Sequence, residues 1–166
     1  MTTSTQANVS TTQVFRVFIK AEPQTVWDAI TDPEFNNKYG YQARSEYELA
    51  PGGSYRVLAS AEMIKFGAPE VIIDGEVLEV DEPFRLVQTW RAYFDPSTAS
   101  EPATRLTWEL AETSPGLTQL TVTHEVEGAP NTAVMVSGQN PDAGGGWSWI
   151  ISDLKSILET GVSMNS

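Results

Sequence analysis

The chain reads as an α+β fold in which a seven-stranded antiparallel sheet curves around one long C-terminal helix. Three observations predict it. From Trp147, the residues Ile150, Ile151, Leu154, Ile157 and Leu158 fall three, four, seven, ten and eleven positions on, one face of a helix, with Asp153, Lys155, Ser156 and Glu159 on the other side. Ahead of that helix stand seven β-rich segments, joined mostly by short connections that favour antiparallel neighbours. In the late segments the apolar residues share a parity: Phe84, Leu86, Trp90 and Phe94, then Leu106, Trp108 and Leu110, then Leu120, Val122 and Val126. One long helix with one apolar face needs one large apolar partner, and only the sheet is large enough.

Taken in order, Val14 to Lys20 is the first strand. Glu22-Pro23 opens a short helix with Val26, Trp27 and Ile30 on one side. Asp32-Pro33 repeats that signal and opens a second, with Phe35 and Tyr39 four apart. Arg44 to Ala50 and Ser54 to Ser60 are strands around the tight turn Pro51-Gly52-Gly53. Ala61 to Glu70, with Gly67 and Pro69, reads as a loop or bulged edge. Val71 to Val80, Phe84 to Phe94, Thr104 to Glu112 and Leu117 to Val126 complete the sheet, giving β-α-α-β6-α. Arg85, Arg91, Arg105, Thr121 and Thr123 are expected to face water. Glu127 to Gln139 reads as a loop, Asn140-Pro141 as the N-cap and first turn of the long helix, and Gly161 as its stop.

At 166 residues this is one domain, residues 14–161, with residues 1–13 a disordered tail and 162–166 a C-terminal tail. The start, Met1 to Gln13, lacks the basic residues and apolar core of a signal peptide, and no apolar run is long enough to span a membrane, so the expected location is cytoplasmic. Ten Lys and Arg against 22 Asp and Glu leave −12, a field that repels phosphate backbones and anionic membranes, so neither nucleic acid nor membrane is expected as a partner. With no cysteine and one histidine there is no thiolate or histidine-rich metal site, and no cofactor fingerprint is present. The composition leaves open a monomer or a homodimer.

A strongly coiled sheet is not filled by one helix, which leaves room for a cavity lined by aromatic residues. The candidate lining is Trp27, Phe35, Tyr39, Tyr55, Gln88, Trp90, Trp108, Val122, His124, Trp147, Ile151 and Leu154. The same tryptophans also read as ordinary core. His124 interrupts the apolar face of the last strand, and is either a proton donor or acceptor to a ligand or a buried, hydrogen-bonded structural residue. Antiparallel pairing puts it near Thr104 or Leu106, and puts Gln88 near Leu110 at the other end, so that two polar groups bracket a band of tryptophan. Trp90 and Trp108 are expected side by side on the inner face. No paired carboxylates have a defensible acid-base role, and Gly144-Gly145-Gly146, with no strand before it, marks a close approach of backbone to the sheet or a loosened first turn.

Several motifs resemble the activator-of-Hsp90-ATPase-like family. Val26-Trp27 through Thr31-Asp32-Pro33, then Pro51-Gly52-Gly53, resemble its opening; Gly75 to Trp90 resembles its central hairpin; Thr118 to His124 and Gly146-Trp147 resemble its ending. The resemblance, over about residues 14–160, implies membership of the START-like (SRPBCC) superfamily and its helix-grip fold. That superfamily holds lipid carriers, hormone receptors, aromatase/cyclases and chaperone activators. The expected function is therefore binding of a hydrophobic or aromatic small molecule between sheet and helix. The alternatives are a polyketide cyclase-, dehydratase- or hydrolase-like enzyme using His124, and a module that modulates a chaperone.

Overall fold

The computed structural model describes residues 11–139 and 145–165. Seven strands form one antiparallel sheet: β1 (Thr12–Ile19), β2 (Arg44–Tyr47), β3 (Ser54–Leu58), β4 (Val71–Asp81), β5 (Arg85–Ala92), β6 (Thr104–Ser114) and β7 (Leu117–Glu125). Their spatial order is β1-β7-β6-β5-β4-β3-β2. The helices are α1 (Pro23–Thr31), α2 (Pro33–Asn36), α3 (Ala61–Lys65), α4 (Pro96–Ala99), α5 (Pro130–Ser137) and α6 (Gly146–Thr160).

The signals at the first two helices act as expected. Pro23 and Pro33 occupy first-turn positions, and the Asp32 carboxylate accepts from Glu34 N–H at 2.9 Å. Around Pro51-Gly52-Gly53 the β2–β3 hairpin sets Tyr47 opposite Tyr55. Gly75 on β4 is a position only glycine fits, because a Cβ there would overlap the Thr89 carbonyl of β5.

Three segments depart from expectation. Ala61–Lys65, within the stretch read as loop or bulged edge, is the short helix α3, capped by Ser60, whose hydroxyl accepts from Met63 N–H at 3.2 Å. Glu127 to Gln139 is not all loop, since it contains α5. That helix has no local side-chain cap; the Glu101 carboxylate, thirty residues upstream, accepts from Asn131 N–H, Thr132 N–H and the Thr132 hydroxyl. The Asn140-Pro141 cap lies outside the described residues, and the described α6 starts at Gly146 with Gly145 before it. Gly146 has φ +67° and a Cβ there would overlap the Val136 carbonyl, so the backbone does approach closely at this glycine, against α5 rather than the sheet.

Alternation on the sheet follows the predicted parity. Leu86, Trp90, Leu106, Trp108, Leu110, Leu120 and Val122 are buried on the face that meets the helices. Phe84 and Phe94 share that parity but lie beyond the ends of β5 and are about half exposed. On the other face Arg85, Glu79, Glu109, Arg105 and Glu125 form a ladder of ion pairs. Thr121, expected to face water, is nearly buried there because Arg16 of β1 folds over it and donates to its hydroxyl.

Helix α6 makes its main sheet contact with β1, at one end of the sheet. Ile151 and Leu154 are fully buried, while Ile150, Ile157 and Leu158 are half-buried. Asp153, read as part of the polar face, is completely buried. Its carboxylate accepts from Gly40 N–H, the Ser163 hydroxyl and Met164 N–H, tying the helix to the turn after α2 and to the chain that folds back after Gly161. Among the described residues no helix is long and apolar enough to cross a membrane, and no group of His, Cys, Asp or Glu could hold a metal ion.

Candidate functional site

Helix α6 covers the β1 end of the sheet and leaves the far half to other elements. A cavity of about 710 Å³ lies over the β2–β5 half, walled by the sheet and by residues from α2, α3, α5 and the start of α6. This size falls in the range of about 300–1,000 Å³ usual for small-molecule sites. Its aromatic lining is Tyr39, Tyr41, Tyr47, Tyr55, Trp90, Phe94, Trp108 and Trp147. Apolar side chains complete the lining, among them Ile72 and Ile73 from β4, Met63 from α3, and Val134 to Val136 from α5.

Of the residues singled out from the sequence, Tyr39, Tyr55, Trp90, Trp108 and Trp147 come together on this cavity. Trp27, Val122, Ile151 and Leu154 belong to the solid core towards β1 and β7, and Phe35 packs outside, its ring centroid 6.3 Å from that of Tyr39. Gln88 and His124 are fully buried behind the wall rather than on it. Tyr47, Tyr41, Met63 and the α5 residues were missed. For Tyr47 a signal existed: the Pro51-Gly52-Gly53 hairpin pairs it with Tyr55, and their rings lie 4.7 Å apart.

The register corrects one expectation. Gln88 pairs with Leu106, and Leu106 pairs with His124, so the two polar residues share one row across β5, β6 and β7 and do not bracket the tryptophans. His124 does lie beside Leu106 and Thr104, as pairing from the β6–β7 turn requires. The β5–β6 connection is long and carries α4, so no tight turn sets that register from sequence. Trp90 and Trp108 share the inner face but are staggered along it, opposite Thr104 and Leu86 respectively. Trp147 lies against both, at 6.4 and 5.3 Å between ring centroids.

Both polar residues hold the wall in place. Gln88 Oε1 accepts from the Tyr47 hydroxyl at 2.8 Å and from Trp108 Nε1 at 3.1 Å. Trp147 Nε1 donates to His124 Nδ1 at 3.0 Å, which requires the proton on Nε2. Nε2 lies 2.7 Å from Thr104 Oγ1, whose own proton goes to the Trp90 carbonyl at 3.0 Å. Both nitrogens of the neutral ring are therefore in use, and burial lowers the imidazole pKa from 6.5 to about 3. Burial also raises the phenols of Tyr39, Tyr47 and Tyr55, which stay protonated.

The histidine predicts an acid sensitivity. Its folded pKa lies below the unfolded one, so the unfolded chain takes up the proton first as pH falls. The contribution is intact above pH 6.5 and is lost between 6.5 and about 3, at a limiting slope of about 1.4 kcal/mol per pH unit. Urea denaturation at a series of pH values from 7 to 5 should show this decline in the wild type. His124→Gln, which keeps one donor and one acceptor, should be flatter; equal slopes would show that the ring is not held neutral.

The comparisons with known proteins agree with this architecture. The family model described as Activator of Hsp90 ATPase homolog 1-like protein matches residues 20–159. No curated protein sequence matches. Among solved structures, a protein from Mesorhizobium loti is similar at 23% identity and TM-score 0.67, over 89% of this chain and 96% of that one. DynU16, a protein in the dynemicin biosynthetic locus, is similar at 24% identity and TM-score 0.65, over 93% of this chain and 49% of that one. An HSP90 activator from Plasmodium falciparum is similar at 17% identity and TM-score 0.58, over 89% and 96%. At these identities the likeness is one of fold, the helix-grip arrangement.

Proposed function

Starting from a chain that belongs to the Activator of Hsp90 ATPase homolog 1-like family, we propose that it binds a hydrophobic or aromatic small molecule in the cavity over the β2–β5 half of its sheet. The observation that carries this reading is the cavity itself: about 710 Å³ lined by eight aromatic side chains. Aromatic walls of this kind favour flat apolar ligands through dispersion and ring stacking. A cyclase, dehydratase or hydrolase acting through His124 gains no support, because neither ring nitrogen is left for a substrate. A cytoplasmic location fits the reading.

Native mass spectrometry of gently purified protein tests it. The wild type should carry an excess mass that is lost on denaturation, and Met63→Trp, which crowds the cavity from α3, should carry less. No excess mass, together with no uptake of added aromatic compounds, would overturn the reading.

A second reading, modulation of a chaperone, is supported by the family and by one surface feature. Phe66 follows α3 at 82% exposure, with Ile64 at 50% on the same short helix. Purified Hsp90 should then change its ATPase rate on addition of the protein, and Phe66→Ser should weaken the effect. An unchanged rate sinks this reading.

A further inference from the structure

The charges around the cavity specify its ligand more narrowly than its size does. All ten Lys and Arg residues lie within the described part of the chain, and none lines the cavity. Arg85 and Arg105 belong to the ladder on the other face of the sheet, Arg44 and Arg56 pair with Glu46, and Lys155 pairs with Glu159. The single histidine stands behind the wall with both ring nitrogens in use. Residues 1–10, 140–144 and 166, outside the described part, contain no Lys, Arg or His in their sequence. The N-termini of α5 and α6 at the cavity are taken as well. The N–H groups of Asn131 and Thr132 go to Glu101, and the backbone of Gly145 and Gly146 hydrogen-bonds the Tyr41 phenol. An anion entering here would lose water and meet no counter-charge.

A cation is provided for. Asp95 is the one charged residue among the described lining residues, and it stands at the mouth, where Tyr41, Gln42, Phe94, Ser97 and Asn131 line the cavity and are exposed. Its Oδ1 accepts from the Ser97 backbone N–H at 2.9 Å, which fixes the side chain as the cap of α4 and holds its pKa below the ordinary carboxylate value. Among the described residues nothing pairs with Oδ2. A cation at the mouth keeps part of its water, and aromatic rings such as those of Tyr41 and Phe94 attract a cation. The −12 of the whole chain acts with the same sign.

Resting on the cavity as the binding site, we propose that the ligand is a flat aromatic compound carrying an aliphatic ammonium group, with its skeleton among the rings of the cavity and its ammonium at the mouth, paired with Asp95 Oδ2. The skeleton supplies most of the affinity through burial. The ammonium supplies orientation, and the lack of a cation on the lining excludes carboxylates of the same shape.

Equilibrium dialysis of the full chain, at neutral pH and low salt, against fluorene bearing an aminomethyl, a hydroxymethyl or a carboxylate group at one ring position separates these statements, because the three share one skeleton. The ammonium should bind about threefold more tightly than the alcohol, the size of one exposed ion pair. The carboxylate should bind at least about tenfold more weakly than the alcohol, from the uncompensated charge. Asp95→Asn, which keeps Oδ1 for the Ser97 N–H and so keeps the cap, should bring ammonium and alcohol to equal affinity. Glu109→Gln makes the same change of charge on the opposite face of the sheet and should keep the preference. Added salt should shrink the preference in the wild type, a second measurement that needs no substitution. Equal affinities of ammonium and alcohol for the wild type, a preference insensitive to salt, one that survives Asp95→Asn, or one that Glu109→Gln removes as completely, overturn the contact with Asp95. A carboxylate that binds as tightly as the alcohol overturns the charge selection. Each of these results leaves the cavity reading standing, whereas failure of all three compounds to bind the wild type defeats the cavity reading itself.

Discussion

Trp147→Ala is expected to destabilise the protein by ~3–5 kcal/mol, the range for removing a large buried aromatic side chain. Trp147 is 6% exposed at the start of α6, where its indole is edge-on to Trp108 and against Trp90. The substitution removes those contacts and leaves His124 Nδ1 buried without its donor. The cavity would also open towards the core, so aromatic ligands should bind less tightly. Chemical denaturation measures the loss. A change no larger than a surface substitution, about half a kcal/mol, would contradict the placement of the helix against the tryptophan wall.

Leu154→Ala should cost ~2–5 kcal/mol by creating a void two turns further along α6. Leu154 is 1% exposed, inside the solid part of the core and away from the cavity lining. The two substitutions therefore differ in kind. Both lower the denaturation midpoint, but only Trp147→Ala should alter ligand affinity measured well below that midpoint. Equal effects on binding would mean that the filled and hollow halves of the sheet are not separate.

Much of this division was hidden in the sequence, for identifiable reasons. The apolar face of α6 and the parity of β5, β6 and β7 are written as periodicities, and they specify sheet, helix and inner face. Where the helix lies across the sheet is not a period. The sequence therefore placed Val122, His124, Ile151 and Leu154 with the ligand, whereas the helix's position over β1 puts them in solid core. Helix α5 was missed because its apolar residues do not keep to one face and its cap, Glu101, comes from a distant loop. Helix α3 buries no residue fully, so only Ser60 ahead of it signalled a helix. Asp153 reads as a solvent residue because its partners, Gly40 and the chain at Ser163 and Met164, are invisible to a helical wheel.

The grouping of Trp90, Trp108 and Trp147 also gives the molecule an optical property. Indole transitions at these separations couple as excitons, and the pair of Trp108 and Trp147 is held in place by hydrogen bonds to Gln88 and His124. Its circular dichroism should carry an aromatic couplet superposed on the backbone signal. The couplet would report the geometry of the cavity wall without any label, and would disappear on loss of side-chain packing even where the strands persist.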